Sequence, residues 1–142
     1  MYVGGWRSLN LALCTKLESI EIHIYFRSSP DEKHPTDVPV LSLAGAGMLS
    51  QASDTLRTVE IYVHDLPRVT TLNNRRLLRL QEFDKVITPD RFPRLEKVKV
   101  HVLPVYDFRR KRAYNWQQIV VGTQKALPSL QTRGILEVVE GW

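Results

Sequence analysis

The segment LESIEIHIYF, Leu17 to Phe26, alternates along its length. Ile20, Ile22 and Ile24 fall on one side of an extended chain, and Glu21, His23 and Tyr25 fall on the other. Branched aliphatics at a period of two predict a strand with one buried and one polar face. The same template, a leucine followed after two residues by three alternating aliphatics, returns in LRTVEIYVHD from Leu56 and in LEKVKVHVLP from Leu95, 39 residues apart each time. Val59, Ile61 and Val63 are the aliphatics of the second copy, and Val98, Val100 and Val102 those of the third. A degenerate fourth copy, LPSLQTRGILEVVE, keeps the alternation at Leu136 and Val138 after a Gly134 without earlier counterpart. Self-similarity at a fixed period marks a repeat architecture.

The segments between these strands run to about thirty residues, too long for hairpins, so successive strands are expected to be parallel. Helical spacing appears ahead of each strand. It is carried by Trp6, Leu9 and Leu13, by Leu80, Phe83 and Val86/Ile87 before Thr88-Pro89, and by Trp116, Ile119, Val120 and Thr123 before Leu127-Pro128. Between Val40 and Ser53 the signal is weaker, because Gly45 and Gly47 each disfavour helix by about 1 kcal/mol relative to alanine; a short helix is predicted around Met48 and Leu49. The expected fold is α/β: a short solenoid with right-handed crossovers, forming one parallel sheet of about four strands with helices on one face. The repeats fall at approximately 5–39, 40–74, 75–113 and 114–142, within a single domain spanning 1–142. Variable loops follow the strands at Ser28 to Pro39, Pro67 to Asn74 and Pro104 to Tyr114.

Sheets covered by helices on both faces have almost continuously hydrophobic strands, and these strands alternate instead. One face should therefore stay uncovered. Aligning the copies sets its side chains in columns about 4.8 Å apart. Glu21, Glu60 and Lys99 form one column, His23, Tyr62 and His101 the next, and Tyr25, His64 and Leu103 the third. A contiguous array of aromatic, histidine and charged residues suits recognition of a partner protein. Glu21, His23, Tyr25, Glu60, Tyr62, His64, Lys99 and His101 are the candidate binding residues.

Composition narrows the setting. A chain of 142 residues with 43% hydrophobic content can build a core, and its one cysteine, Cys14, lies among leucines where a buried apolar role is expected. No apolar run approaches the ~20 residues of a membrane span, and no signal peptide is evident, so an intracellular protein, cytoplasmic or nuclear, is expected without a membrane partner. The net charge of +5 is concentrated in two clusters, Arg109, Arg110, Lys111 and Arg112, and Arg75, Arg76 and Arg79. These make a nucleic-acid-associated domain the alternative reading.

Chemistry is sparsely signalled. His23, His64 and His101 share a face, but His23 and His101 are two strands, roughly 10 Å, apart and no carboxylate or thiol is expected between them, so no metal is assigned. Glu21 and Glu60 could act as a carboxylate pair, although Lys99 beside them suggests a charge ladder. There is no nucleophile elbow or glycine-rich phosphate loop. No catalytic residue and no cofactor is assigned; an enzyme would need a site at the strand C-termini, around Phe26, Asp65 and Pro104.

The repeated L-x-x-[IV]-x-[IV]-x-[IV] strands, the LQEFDKVI helix followed by FPRLEKV, and the closing LPSLQTRGILEV resemble the C-terminal part of leucine-rich-repeat-like proteins of mushroom-forming fungi, many of them F-box proteins. The resemblance covers essentially the whole chain. It implies a leucine-rich-repeat-like domain that serves as the substrate-recognition half of a ubiquitin-ligase adaptor. No F-box precedes the first repeat, so the chain is expected to be a fragment of a longer array, recruiting a ligase core only if an F-box lies outside it.

Overall fold

In a computed structural model, residues 16–25, 45–66, 72, 78–104 and 115–140 are described. Four strands, β1 (Ser19–Tyr25), β2 (Thr58–Leu66), β3 (Lys97–Pro104) and β4 (Leu136–Glu140), form one sheet in the order β1-β2-β3-β4. Every neighbouring pair is parallel. The helices are α1 (45–50), α2 (Gln81–Val86), α3 (Trp116–Ala126) and α4 (Pro128–Thr132). At least one helix lies between each strand and the next.

Register follows the sequence period. Ile22 pairs with Ile61 and Ile61 with Val100, so equivalent positions of the first three copies stand side by side. The bonds entering the strands repeat as well. Arg57 N and Thr58 N donate to Glu18 O, and Glu96 N and Lys97 N donate to Arg57 O, the same pattern one copy later. Thr55 Oγ1 adds a bond to Leu17 O, tying the turn before β2 to the start of β1.

The fourth copy departs from this period. Val98 pairs with Leu136, a spacing of 38 residues, because α4 and its terminating turn replace the earlier entry into the strand. Gly134 N donates to Gln131 O, Ile135 N donates to Leu130 O, and Gly134 has φ 71°. That is a Schellman ending, in which the glycine takes the left-handed conformation and the two bonds satisfy the last helical carbonyls. Gly134 has no counterpart in the other copies because none of their strands is entered from this turn. The sequence pattern missed α4 by treating its residues as part of a degraded strand copy.

The nine alternating aliphatics of the first three copies are all buried, and they share one core with Leu66 of β2, Met48 and Leu49 of α1, Phe83 of α2, Ile119 and Ala126 of α3, and Leu130 of α4. Each large aliphatic moved from water into that core contributes about 1.5–3 kcal/mol before entropy is counted. In β4, Leu136 and Val138 pack against the core only partly. In α3 the inward positions are Ile119, Gly122, Thr123 and Ala126, while Val120 is half-buried.

Three polar contacts fasten the helices to each other. Pro128 at the start of α4 has no N–H to offer, and the carboxylate of Asp84 on α2 accepts from the next two, Ser129 N and Leu130 N, both at 3.2 Å. This gives α4 an N-terminal cap from another helix. At the other helix polarity, the Arg91 guanidinium donates to Ser50 O at 2.8 Å and also to Ala52 O, at the end of α1. Arg133 Nη1 donates to Ile87 O at 3.3 Å, at the end of α2. A cation at a helix C-terminus is favoured by the exposed carbonyls there.

Trp6, Leu9 and Leu13, Cys14, Phe26, most of the variable loops, Arg75, Arg76 and the Arg109 to Arg112 run lie outside the described residues.

The two glycines of α1 should respond oppositely to alanine. A Cβ on Gly45 would sit 3.1 Å from Phe83 Cζ and 3.2 Å from Ile22 Cγ2, both on fully packed side chains, whereas Gly47 has nothing within 4 Å. Gly47→Ala should therefore raise stability by about 0.5–1 kcal/mol and Gly45→Ala should lower it, as read from urea midpoints. Ile61 is 0% exposed, so Ile61→Asp should abolish cooperative unfolding by burying a lone charge, whereas Tyr62→Ala on the opposite face should leave the domain folded. Circular dichroism and thermal melts distinguish the two.

Candidate functional site

The polar face is built by alternation. Because Ile20, Ile22 and Ile24 must face the core, Glu21, His23 and Tyr25 are carried to the other side, and β2 and β3 do the same for their own residues. The pairings Glu21↔Glu60↔Lys99, His23↔Tyr62↔His101 and Tyr25↔His64↔Leu103 form as the spacing predicts. Strand β4 extends two columns, placing Glu137 beside Lys99 and Val139 beside His101. Those two residues were missed; the signal for them was the 38-residue step, which becomes visible only once Leu136 is aligned with Val98.

In-register pairing converts the rings into a stack. His23 and Tyr62 have centroids 4.4 Å apart and planes within 4°. Tyr62 and His101 follow at 4.0 Å and 1°, and Tyr25 and His64 form a parallel pair at 4.2 Å and 7°.

The link between the two columns was not foreseen. His23 Nδ1 and His64 Nε2 approach to 2.8 Å while the ring centroids are 5.1 Å apart. Such a close approach at that separation requires both nitrogens to lie on the line joining the ring centres. The two imidazoles are therefore edge to edge in nearly one plane, one nitrogen donating and the other accepting. Tyr25 lies against His64 from the β1 side, and Tyr62 lies against His23 from the β3 side. The array is a layered block: Tyr25, then the imidazole pair, then Tyr62, then His101.

Charged groups border the block. His101 Nε2 contacts Glu60 Oε1 at 3.1 Å, and Lys97 Nζ contacts Glu137 Oε2 at 3.1 Å. This corrects the expected ladder and the expectation that no carboxylate lies among the histidines. Glu60 reaches diagonally to the partly buried imidazole, while Lys99 forms no ion pair among the described residues. Burial holds the His23 imidazole below its ordinary value, and the opposing pull of the Glu21 carboxylate does not offset it. Burial, reinforced by the Glu60 and Glu21 charges, raises the Tyr62 phenol, which stays a neutral donor near pH 7. A hydrogen bond from Lys97 lowers the exposed Glu137 carboxyl.

The geometry also bears on metal binding. No group of three or more His, Cys, Asp or Glu is placed to hold a metal ion among the described residues. The paired nitrogens of His23 and His64 point at each other rather than converging on a third point, as ligands of one ion must. Asp65 falls near the C-terminal end of β2, and Pro104 ends β3. Arg79 is the one member of the two basic clusters that is described; its φ of 53° is left-handed, and its Nε is buried without a hydrogen-bond partner among the described residues. Among the described residues no helix is long and apolar enough to cross a membrane.

No family model, curated protein or solved structure matches this chain.

The block should make stability depend on pH. His23 titrates near 6.5 in the unfolded chain and lower in the fold, so its contribution is complete above 6.5 and is lost as pH falls through the folded value. His23→Phe keeps a flat ring and removes this titration. Its thermal midpoint should drop less than that of the wild type between about pH 7 and about pH 5. Equal drops would remove His23 as the source.

Proposed function

We propose that this chain is a protein-interaction module whose uncovered sheet face is the binding surface. The observation that carries the reading is the layered block of Tyr25, His23, His64, Tyr62 and His101, held by stacking and by one imidazole-imidazole bond on a face that none of the described helices buries. Rings already fixed against each other lose little side-chain entropy when a partner docks, and large rigid side chains concentrate binding energy. The half-buried Glu60 and His101 and the bordering Glu21, Lys99 and Glu137 supply polar contacts around the rings.

We read the whole as a short leucine-rich-repeat-like solenoid, comparable to the substrate-recognition repeats of an F-box ubiquitin-ligase adaptor. Support comes from the shared register of the first three copies and from the identical backbone bonds that join them. The F-box itself would have to lie outside this chain. Nucleic acid is disfavoured on this face, because Glu21 and Glu60 stand side by side on β1 and β2 and would repel phosphate.

A Tyr62→Ala/His101→Ala double variant tests the reading. It should keep the circular dichroism of the wild type and lose the partner that the wild type captures in affinity purification. Binding should also survive an increase from about 50 to about 200 mM salt, across which phosphate-driven association falls by orders of magnitude. Full capture by the folded double variant would refute the assignment of this face.

A further inference from the structure

The layered block ends unevenly on its β1 side. Tyr25 stands one ring layer further out than His23, since it covers the outer face of His64 and leaves the outer face of His23 uncovered by any described ring. No strand pairs with β1 on that side among the described residues. Among the described residues the result is a step: the face of the partly buried His23 is its floor, and the edge of Tyr25, whose residue is 41% exposed, is its wall. Glu21 flanks it on the same strand, two residues back and about 7 Å along the chain.

We propose that this step receives an arginine side chain of a partner protein, its guanidinium lying on the His23 ring and its N–H groups donating to Glu21. The inference rests on the interaction reading above and names the chemistry of the partner. Glu21 is exposed, adjoins a second carboxylate in Glu60, and forms no ion pair among the described residues. One of its carboxylate oxygens accepts a hydrogen bond from the Tyr62 hydroxyl, which places it beside the rings. Burial keeps His23 neutral near pH 7, so the floor does not repel a cation.

A flat cation answers each of these features. Guanidinium is planar, stacks on rings and donates to carboxylates in a fixed fork, whereas an ammonium group carries a compact hydration shell and cannot stack. A neutral aromatic ring would fill the step but leave Glu21 without a counter-charge. A phosphate or carboxylate would meet Glu21 and Glu60 directly. A second copy of this chain, continuing the sheet from its β4 edge, would set Glu137 against Glu21.

The test follows the ring resonances of His23 and Tyr25 by NMR in the full chain near pH 7. Three capped pentapeptides are titrated, Gly-Gly-X-Gly-Gly with X as arginine, lysine or citrulline. The arginine peptide should shift both rings, and the lysine and uncharged citrulline peptides should bind at least about threefold more weakly. Glu21→Gln should weaken the arginine peptide by a similar factor, while Glu137→Gln at the far edge should not. Absence of ring shifts with arginine, equal binding of citrulline, or indifference to Glu21→Gln overturns the proposal. If the arginine peptide fails while the Tyr62/His101 double variant still loses its partner, only the arginine assignment falls. If that variant keeps its partner, the interaction reading itself falls.

Discussion

Backbone hydrogen bonding between parallel strands decides which side chains become neighbours, and in this sheet the decision repeats every 39 residues across three strands. Once Ile22 is set beside Ile61 and Ile61 beside Val100, the residues between them have no freedom about their partners. Burial supplies the direction: nine aliphatics enter one core and the alternate positions are expelled to the other face. The ring stack is a by-product of that pairing. Rings at equivalent positions on strands about 4.8 Å apart need only a small slip to reach contact distance.

The same constraint sorts the polar groups by energy. Glu21 and Glu60 lie side by side because the register places them so, although like charges opposite each other are unfavourable. Glu60 relieves part of this by turning to His101, and Lys97 with Glu137 forms a separate pair at the β3–β4 edge. Glu21 is left exposed at the outer strand. On the interaction reading proposed above, that unfavourable pairing beside fixed, half-buried rings is where a partner would dock.

Much of this was legible in the sequence, for reasons specific to each element. The period of two in IEIHI, VEIYV and VKVHV fixed the buried faces, and the 39-residue spacing fixed the columns. Helix α3 was legible because Ile119 and Thr123 recur at helical spacing. Other features depend on contacts between residues far apart in the chain. Asp84 caps α4 across 45 residues, Arg91 reaches the end of α1 across 41, and no local pattern records either. Helix α4 was hidden because it lies between Pro128 and a glycine-ended turn, inside a segment that otherwise resembles a worn strand copy. The His23–His64 bond was equally hidden, since the columns place the two rings diagonally and only their tilt brings Nδ1 to Nε2.

The column of Glu21, Glu60, Lys99 and Glu137 has a consequence for self-association. Among the described residues no strand pairs with the outer edge of β1 or of β4, and head-to-tail addition of identical copies at such edges would extend a sheet without limit. In the register already present, the next residue after Glu137 would be another copy's Glu21, and the next after Val139 would be His23. Carboxylate would meet carboxylate at every junction, so the charge order that is tolerated within one sheet opposes its polymerisation into a fibre.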